Sequence, residues 1–594
     1  MQKVGAAFPD FISSGKVRRK QKDYDSRNSP MRDLFLPVAL VVVVVFLFLR
    51  LFYLQILQGP RFRYLSNSNR IKTIIVHAPR GVIFDRNGSP LVYNIPGFRE
   101  TISGKTVQIE EKEALSLIAK GKQDLEVDSL REYPYREALA HVLGYLGQIS
   151  KDELSMPQYS TYNPGELIGK SGVEQEYESK LKGIDGKQLV EIDAQGNAVR
   201  KLGESDPVPG QDITLTIDAS LQKAVFEATK SVKKGAAIVS SPKGEILAMV
   251  SRPSFDPNLF TMGPGYLAAS DSSYLSLSDI LLDSQNQPLL DRSISGTYPP
   301  GSTFKLVVAS SGLENKIIDE NYQVEDTGVL QVGAFSFSNW YYTGYGGKDG
   351  EVNVVKGIKR SNDIFFYTLA GKVGVDTVSE TAKKFGLGKT LGIDLQGEAT
   401  GLVPTPEWKQ KIIGEQWYLG DTYHYGIGQG FLLTTPLQVN GWTQAIANGG
   451  TLYQPHLLKD LKPHILGSNL LDQHSSDLIR EGMVEACSPG GVAWPLFNYT
   501  IKNPRLKVDG KNILEAPQAT TTAGFQDFRH VVIACKTGTA ENGGNNTLAH
   551  AWITLFAPAY NPQIVVTVLS ENSGEGSNIA GPIAKQILDA WFSR

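Results

Sequence analysis

A serine and a lysine three residues apart, Ser302 and Lys305, stand just after Pro299-Pro300-Gly301. The Pro-Pro-Gly turn is stiff and starts a new element. Phe304, Leu306, Val307, Val308, Ala309 and Leu313 are apolar almost all round, which predicts a helix buried in a large core from Ser302 onward. A three-residue step puts hydroxyl and amine on one face, with Cβ atoms about 5–6 Å apart. The hydroxyl lies at a helix N-terminus, whose free N–H groups favour developing negative charge. Burial disfavours the charged form of a lysine, so Lys305 can take the proton of Ser302 and leave an activated nucleophile. By itself the pattern is weak. Ser-x-x-Lys also begins at Ser13, Ser179, Ser220, Ser231 and Ser240, and a serine after Pro-Pro-Gly is a good helix cap.

Two further segments carry chemistry. Ser361-Asn362-Asp363 precedes the apolar run Ile364-Phe365-Phe366-Tyr367. A hydroxyl and a carboxyl two apart can relay protons or fix a lysine, although capping a helix is the commoner use of such residues. Lys536-Thr537-Gly538-Thr539 follows the apolar stretch 531–535. The expectation is a strand that presents Lys536 and both threonines on one side. Gly538 would leave room for a substrate backbone, and Lys536 would supply charge for a terminal carboxylate. The plain alternative is an edge strand with a solubilising lysine.

Ser-x-x-Lys, then Ser-x-Asp, then Lys-Thr-Gly, in that order, is the signature of penicillin-binding proteins and serine β-lactamases. The chain resembles a class B penicillin-binding protein, a monofunctional peptidoglycan D,D-transpeptidase, over nearly everything from about residue 33 to 594. Arg80-Gly-Val-Ile-Phe-Asp-Arg-Asn-Gly88, Gly172-Val-Glu-Gln-Glu-Tyr-Glu178, Tyr298 to Lys305, Gly426-Ile-Gly-Gln-Gly430 and Thr435-Pro-Leu-Gln438 carry the resemblance. Within the class the chain is most similar to the elongation subgroup, penicillin-binding protein 2. The cues are Asp363, Glu407-Trp-Lys-Gln-Lys411 and Trp417-Tyr-Leu-Gly-Asp421.

The resemblance implies these roles. Ser302 attacks the penultimate D-Ala carbonyl of a stem peptide, and Lys305 is its base. Ser361 and Asp363 link the lysines and pass the proton to the leaving amine. Lys536, Thr537 and Thr539 hold the terminal carboxylate, with Gly538 between them on the substrate-binding strand, and the N–H groups of Ser302 and Thr539 form an oxyanion hole. β-Lactams acylate Ser302 in the same way. The expected partners are D-Ala-D-Ala stem peptides, β-lactams, the membrane and a polytopic glycosyltransferase of the shape, elongation and division family. Two neighbouring lysines depress each other's pKa, and the expectation is a neutral Lys305 with Lys536 charged. Two alternatives stay open: a non-catalytic β-lactam-binding scaffold or sensor, and a hydrolase of the D,D-carboxypeptidase or β-lactamase type.

The chain also departs from the pattern. Cys535 stands where the family usually has glycine, and residues 94–130 are shorter than the usual head region. Some relatives hold a metal between the first two motifs. This chain has no His or Cys from residue 303 to 423, so no metal is expected. With no G-x-G-x-x-G or P-loop segment, no cofactor is expected either.

The elements that must position these residues belong to a chain of 594 residues, too long for one core. With 59 Lys+Arg against 61 Asp+Glu, its net charge is -2, which argues against a nucleic-acid binder. The two cysteines, Cys487 and Cys535, exclude a disulfide framework. They could form one bridge outside the cytoplasm, which spacing cannot decide. Residues 34–49 are an unbroken apolar run continued by Leu51 to Leu57, long enough to span a bilayer. Lys16, Arg18, Arg19, Lys20, Lys22, Arg27 and Arg32 precede it. They place the N-terminus in the cytoplasm and the rest outside the inner membrane of a bacterium, single-pass.

The expected organisation is a basic tail (1–33), a transmembrane helix (34–57), an elongated pedestal (58–205) and a transpeptidase domain (206–594). The last is α+β. Strands at 213–217, 235–240 and 244–250 join strands at 531–536, 549–556 and 564–569 in one antiparallel sheet. A helix over 583–592 and the mostly helical middle, 259–500, flank it.

Overall fold

The computed structural model describes residues 30–102, 105–109, 111–120, 125–193, 198–263, 265–502, 528–544 and 547–593. Of the expected basic tail, residues 1–29 lie outside the described residues. Helix α1 (Pro30–Phe52) continues through a π-turn, Tyr53–Leu57. Within it the 24 residues Leu34–Leu57 are long and apolar enough to cross a membrane. Every side chain from Leu34 to Tyr53 is exposed, and a helix apolar all round with no protein cover suits a lipid surrounding.

The chain forms two compact units, Met1–Ile74 with Gln188–Glu204, and Ile75–Lys187 with Ser205–Arg594. The first holds the apolar helix, and its Glu191 carboxylate pairs with Arg70 and Arg200. The expected pedestal, 58–205, is therefore not one compact body. Its residues 75–187 join the C-terminal part because hydrogen bonds cross the expected boundary.

In the second unit, strands β1 (Ile83–Phe84), β2 (Pro90–Ile102), β3 (Lys105–Ile109) and β4 (Leu125–Glu132) share a sheet with β5 (Ile213–Thr214), which pairs parallel with β1. Asn258 grips the Tyr133 backbone, donating to its carbonyl at 2.9 Å and accepting from its N–H at 2.8 Å. Arg80 donates to Glu174 and Glu178 at 2.8 Å each, and Arg131 Nε reaches the fully buried Glu174 at 2.7 Å. Two of the resemblance segments thus meet as one buried ionic cluster.

Beyond β5 come α2 (Ala219–Ala228), β6 (Gly235–Ser240) and β7 (Ile246–Arg252). The helical middle contributes α3 (Lys305–Glu314), α4 (Val354–Arg360), α5 (Asp363–Val373), α6 (Pro436–Ala447) and α7 (Gln473–Ala486). The chain closes with β8 (Ala534–Ala540), β9 (His550–Ala557), β10 (Ile564–Ser570) and α8 (Gly576–Phe592). The order β7-β6-β10-β9-β8 makes one antiparallel sheet fed from both ends of this part, as expected, except that the strand expected at 213–217 is absent from it: its Ile213–Thr214 pairs with β1 in the other sheet.

Alternation gives the sheet two apolar faces. Leu221, Val225, Ile583 and Ile587 of α2 and α8 pack with Val239, Ile553 and Val566 on one face. Phe304, Leu306, Trp442 and Ile446 pack with Ile238, Trp552 and Phe556 on the other. Helix α8 starts seven residues before the expected Ile583 and carries Pro582 inside it. Its start requires glycine, because a Cβ on Gly576 would lie 2.2 Å from the Trp552 carbonyl oxygen and 2.4 Å from that of Gly538.

Candidate active site

Gly301–Phe304 is a 3-10 turn that leads into α3. The α-helix therefore begins at Lys305 rather than Ser302. With three residues per turn, positions 302 and 305 lie directly above one another. Gly301 has φ +54, and its N–H donates to the Gly428 carbonyl at 2.9 Å. Trp552 Nε1 donates to the Pro299 carbonyl at 3.1 Å. The turn is thus clamped between the Gly426–Gly430 segment and the sheet. Ser302 is half-buried and its hydroxyl has no hydrogen-bonding partner among the described residues. Lys305 is fully buried.

Ser361 follows the last residue of α4 and adopts φ 51, ψ 39. Holding a non-glycine residue in this left-handed region costs of order 1 kcal/mol or more and persists only where the surroundings impose it. Its neighbours supply the hold. Asn362 caps α5 through an N–H bond from Phe365 at 2.8 Å. The nearly fully buried Asp326 carboxylate accepts from Asn339 at 2.7 Å and from Asn362 at 2.8 Å. Asn339 Oδ1 accepts from the Asp363 N–H at 3.2 Å, and the Trp340 N–H donates to Asp363 Oδ2 at 3.0 Å. Asp326, Asn339 and Trp340 were not singled out from the sequence. They precede Ser361 by more than 20 residues, and only the fold brings them to it.

Ser361 joins the two lysines. Lys305 Nζ donates to Asp363 Oδ1 at 2.6 Å, to the Ser361 carbonyl at 2.7 Å and to Ser361 Oγ at 3.3 Å. Lys536 Nζ donates to the same Oγ at 2.8 Å and to the Thr537 carbonyl at 2.9 Å. Lys305, Ser361, Asp363 and Lys536 therefore come together, with Ser302 one 3-10 turn before Lys305, although Lys536 is 231 positions from Lys305 along the chain.

Burial and neighbouring charge act on both lysines. Burial pushes both lysines below their ordinary pKa. At Lys305 the adjacent Asp363 works against that shift. At Lys536 the charge of Lys305 adds to it, so Lys536 falls well below 10.5. The Asp363 contact thus favours the charged form of Lys305, while burial and the Lys305 charge disfavour that of Lys536.

Strand β8 carries Lys536, Thr537, Gly538 and Thr539 and is an edge strand of the sheet. It runs four residues beyond the expected end at 536. Alternation corrects the single-face expectation. Lys536 and Gly538 share the face toward α3, while Thr537 and Thr539 lie on the face toward α8. There the Gly576 N–H donates to Thr539 Oγ1 at 3.4 Å. Thr539 is exposed and Thr537 is buried. Gly538 also has a neighbour other than the one expected. A Cβ there would lie 3.0 Å from the Pro300 carbonyl oxygen and 3.1 Å from Thr303 Cγ2, so its missing side chain seats the strand against the turn that bears Ser302. Cys535 is bonded to Cys487 with Cα atoms 5.9 Å apart, which settles the open pairing.

A half-buried serine at a helix start, a serine shared by two buried lysines, and an edge strand beside them define a serine acyl-transfer site of the penicillin-recognising type. Known proteins agree with that class. The family profile "Penicillin binding protein transpeptidase domain" matches residues 235–589, and "Penicillin-binding Protein dimerisation domain" matches residues 122–215. The chain belongs to the penicillin-binding protein transpeptidase family. It is 33% identical to the peptidoglycan D,D-transpeptidase MrdA of Acinetobacter baumannii, covering 94% of this chain and 87% of that protein. Among solved structures, Pseudomonas aeruginosa PBP2 in complex with WCK 5153 superposes with a TM-score of 0.65 at 32% identity, over 88% of this chain and 96% of that one. Helicobacter pylori PBP2 in complex with MreC gives 0.70 at 27% identity, over 88% and 99%.

Proposed function

We propose that this protein is a peptidoglycan D,D-transpeptidase that crosslinks stem peptides through an acyl-enzyme on Ser302. The observation that carries the reading is the shared hydroxyl of Ser361, within hydrogen-bond reach of both Lys305 and Lys536. One lysine of this pair is neutral. It takes the Ser302 proton as Oγ bonds to the carbonyl carbon of the penultimate D-Ala. Ser361 passes that proton to the departing nitrogen as the peptide bond breaks and D-Ala leaves. The amine of a second stem then attacks the ester, loses its proton through the same relay, and frees Ser302.

Arrival of the substrate carboxylate at the free edge of β8 favours a charged Lys536. It pulls the proton across Ser361 and leaves Lys305 as the base, so the expected protonation is the substrate-bound one. Asp363 holds Lys305 in place. The N–H groups of Ser302 and Thr539 serve as the oxyanion hole. Leu34–Leu57 anchors the protein in the membrane with the N-terminus cytoplasmic and the catalytic unit outside. The likeness to MrdA and PBP2 supports a place in cell elongation. The Helicobacter complex with MreC supports assembly with other elongation proteins, and a polytopic glycosyltransferase is the partner proposed here.

Labelling the full-length protein with a fluorescent penicillin tests the reading. A stable adduct, lost in Ser302→Ala, is expected. Rapid release of the label would instead point to a hydrolase, and absence of label on folded protein to a scaffold.

A further inference from the structure

The C-terminal turn of α7 touches both walls of the catalytic cleft. Cys487 caps α7 and is bonded to Cys535, the residue immediately before Lys536. Two residues earlier, Glu485 pairs with Lys359, which lies two residues before Ser361. Three residues after Cys487, the Gly490 carbonyl accepts from Arg360 Nη1 at 3.2 Å, and Arg360 directly precedes Ser361. The helices α4 and α7 pack closely beneath these links, for a Cβ on Gly482 would lie 2.7 Å from Ile358 Cβ. The same turn reaches the start of α8, where Ser577 Oγ donates to the Val492 carbonyl at 2.7 Å.

Ser361 and Lys536 come from elements 175 residues apart and meet at 2.8 Å. Neither is bonded to the other's element by the backbone, because α4 is a helix and β8 has β9 on its one paired side. The turn 485–490 is a physical link between the two: a covalent bond to one side, and an ion pair and a hydrogen bond to the other. Cys535 is fully buried and Cys487 nearly so, so the link is rigid at the strand end.

We propose that the turn Glu485–Gly490, fastened to β8 by the Cys487–Cys535 bridge, is a clamp that sets the separation of Ser361 and Lys536 and thereby the rate of acylation. Cys487, Cys535 and Glu485 are positioning residues, and none of them touches substrate. The inference rests on the acyl-enzyme reading above. Loosening the clamp lengthens the Lys536–Ser361 contact and admits water to Lys536. Proton relay slows, and the Lys536 pKa relaxes upward toward its ordinary value.

The test uses the full-length protein in detergent and two variants, Cys487→Ala/Cys535→Ala and Glu485→Gln. The second leaves the bridge intact and guards against loss of folding in the first. The second-order acylation constant with fluorescent penicillin is measured against pH, alongside thermal unfolding. The bridge variant should acylate about tenfold more slowly, since small misplacements at a reacting centre carry costs of this order or more. Its pH–rate midpoint should move to higher pH, and Glu485→Gln should move both readouts in the same direction by less. A lower melting temperature with unchanged rate and midpoint in both variants would overturn the clamp and leave the bridge a purely stabilising one. Failure of the unmodified protein to label would overturn the acyl-enzyme reading, and the clamp with it.

Discussion

Lys305 and Lys536 point at one hydroxyl from opposite sides, and at this scale the chemistry turns on which of them holds a proton. Burial lowers both, Asp363 supports the charge on Lys305, and Lys305 lowers Lys536 further. The lysine pair must lose one proton before it can accept one from Ser302. Acylation by a penicillin should therefore rise with pH as the second lysine charge is lost, with a midpoint below the ordinary lysine value of 10.5. A profile that stays flat and low until about pH 10 would show that the pair is not electrostatically coupled. Ser361 supplies the other residue-level signal. Its left-handed backbone is not legible in Ser-Asn-Asp, because no local pattern demands it. Asp326, Asn339 and the Asn362 cap impose it from outside.

Among the elements, β8 carries most of the burden. Its edge position leaves one side of the strand without a strand partner among the described residues, which is how a peptide can lie against it by strand addition. Gly538 lets it approach the Ser302 turn. Gly538→Ala would drive a methyl against the Pro300 carbonyl and Thr303. The expected result is acylation slowed about tenfold with the protein still folded, checked by labelling rate and circular dichroism. The Cys487–Cys535 bridge closes a separation of 48 residues. In the chain-entropy picture its removal costs about 4 kcal/mol, readable as a lower denaturation midpoint with a steeper slope from the more expanded unfolded chain. Helix α8 shows the limit of propensity reading. Pro582 argues for a helix start at 583, yet packing of Gly576, Ala580 and Gly581 against neighbouring elements carries the helix past it.

For the whole molecule, Asn258 on the Tyr133 backbone, Gln222 on the Ala138 carbonyl and Thr261 on the Arg131 carbonyl tie residues 75–187 into the same unit as the catalytic sheet, and the Arg80–Glu174–Arg131 cluster holds that stretch together internally. Burial pushes the Glu174 carboxyl up, but Arg131 and Arg80 together hold it below its ordinary 4.5. A depressed carboxylate adds stability that is complete above 4.5 and drains away as pH falls below it. Glu174→Gln leaves two buried guanidiniums facing a neutral amide. It should cost about 3–5 kcal/mol at neutral pH and flatten the acid limb of the stability profile. An equal acid limb in protein and variant, measured by urea unfolding from pH 3 to 7, would assign the acid sensitivity elsewhere.

The sequence alone determined the motif side chains proposed to react, their order, the apolar span and the two-ended sheet. Each of these depends on spacing over a few residues: three for Ser302 and Lys305, two for Ser361 and Asp363, alternation along a strand, and an unbroken apolar run. Only the tertiary structure decided the Cys487–Cys535 pairing, the split of the pedestal at 74/75 and 187/188, the seat of Gly538 and the hold on Ser361. It also decided the burial that lowers both lysines and the Asp363 contact that opposes this at Lys305. Those outcomes depend on distances between residues tens to hundreds of positions apart, and on the exclusion of water around them. Packing and a low local dielectric set both, and neither is written in any short stretch of chain.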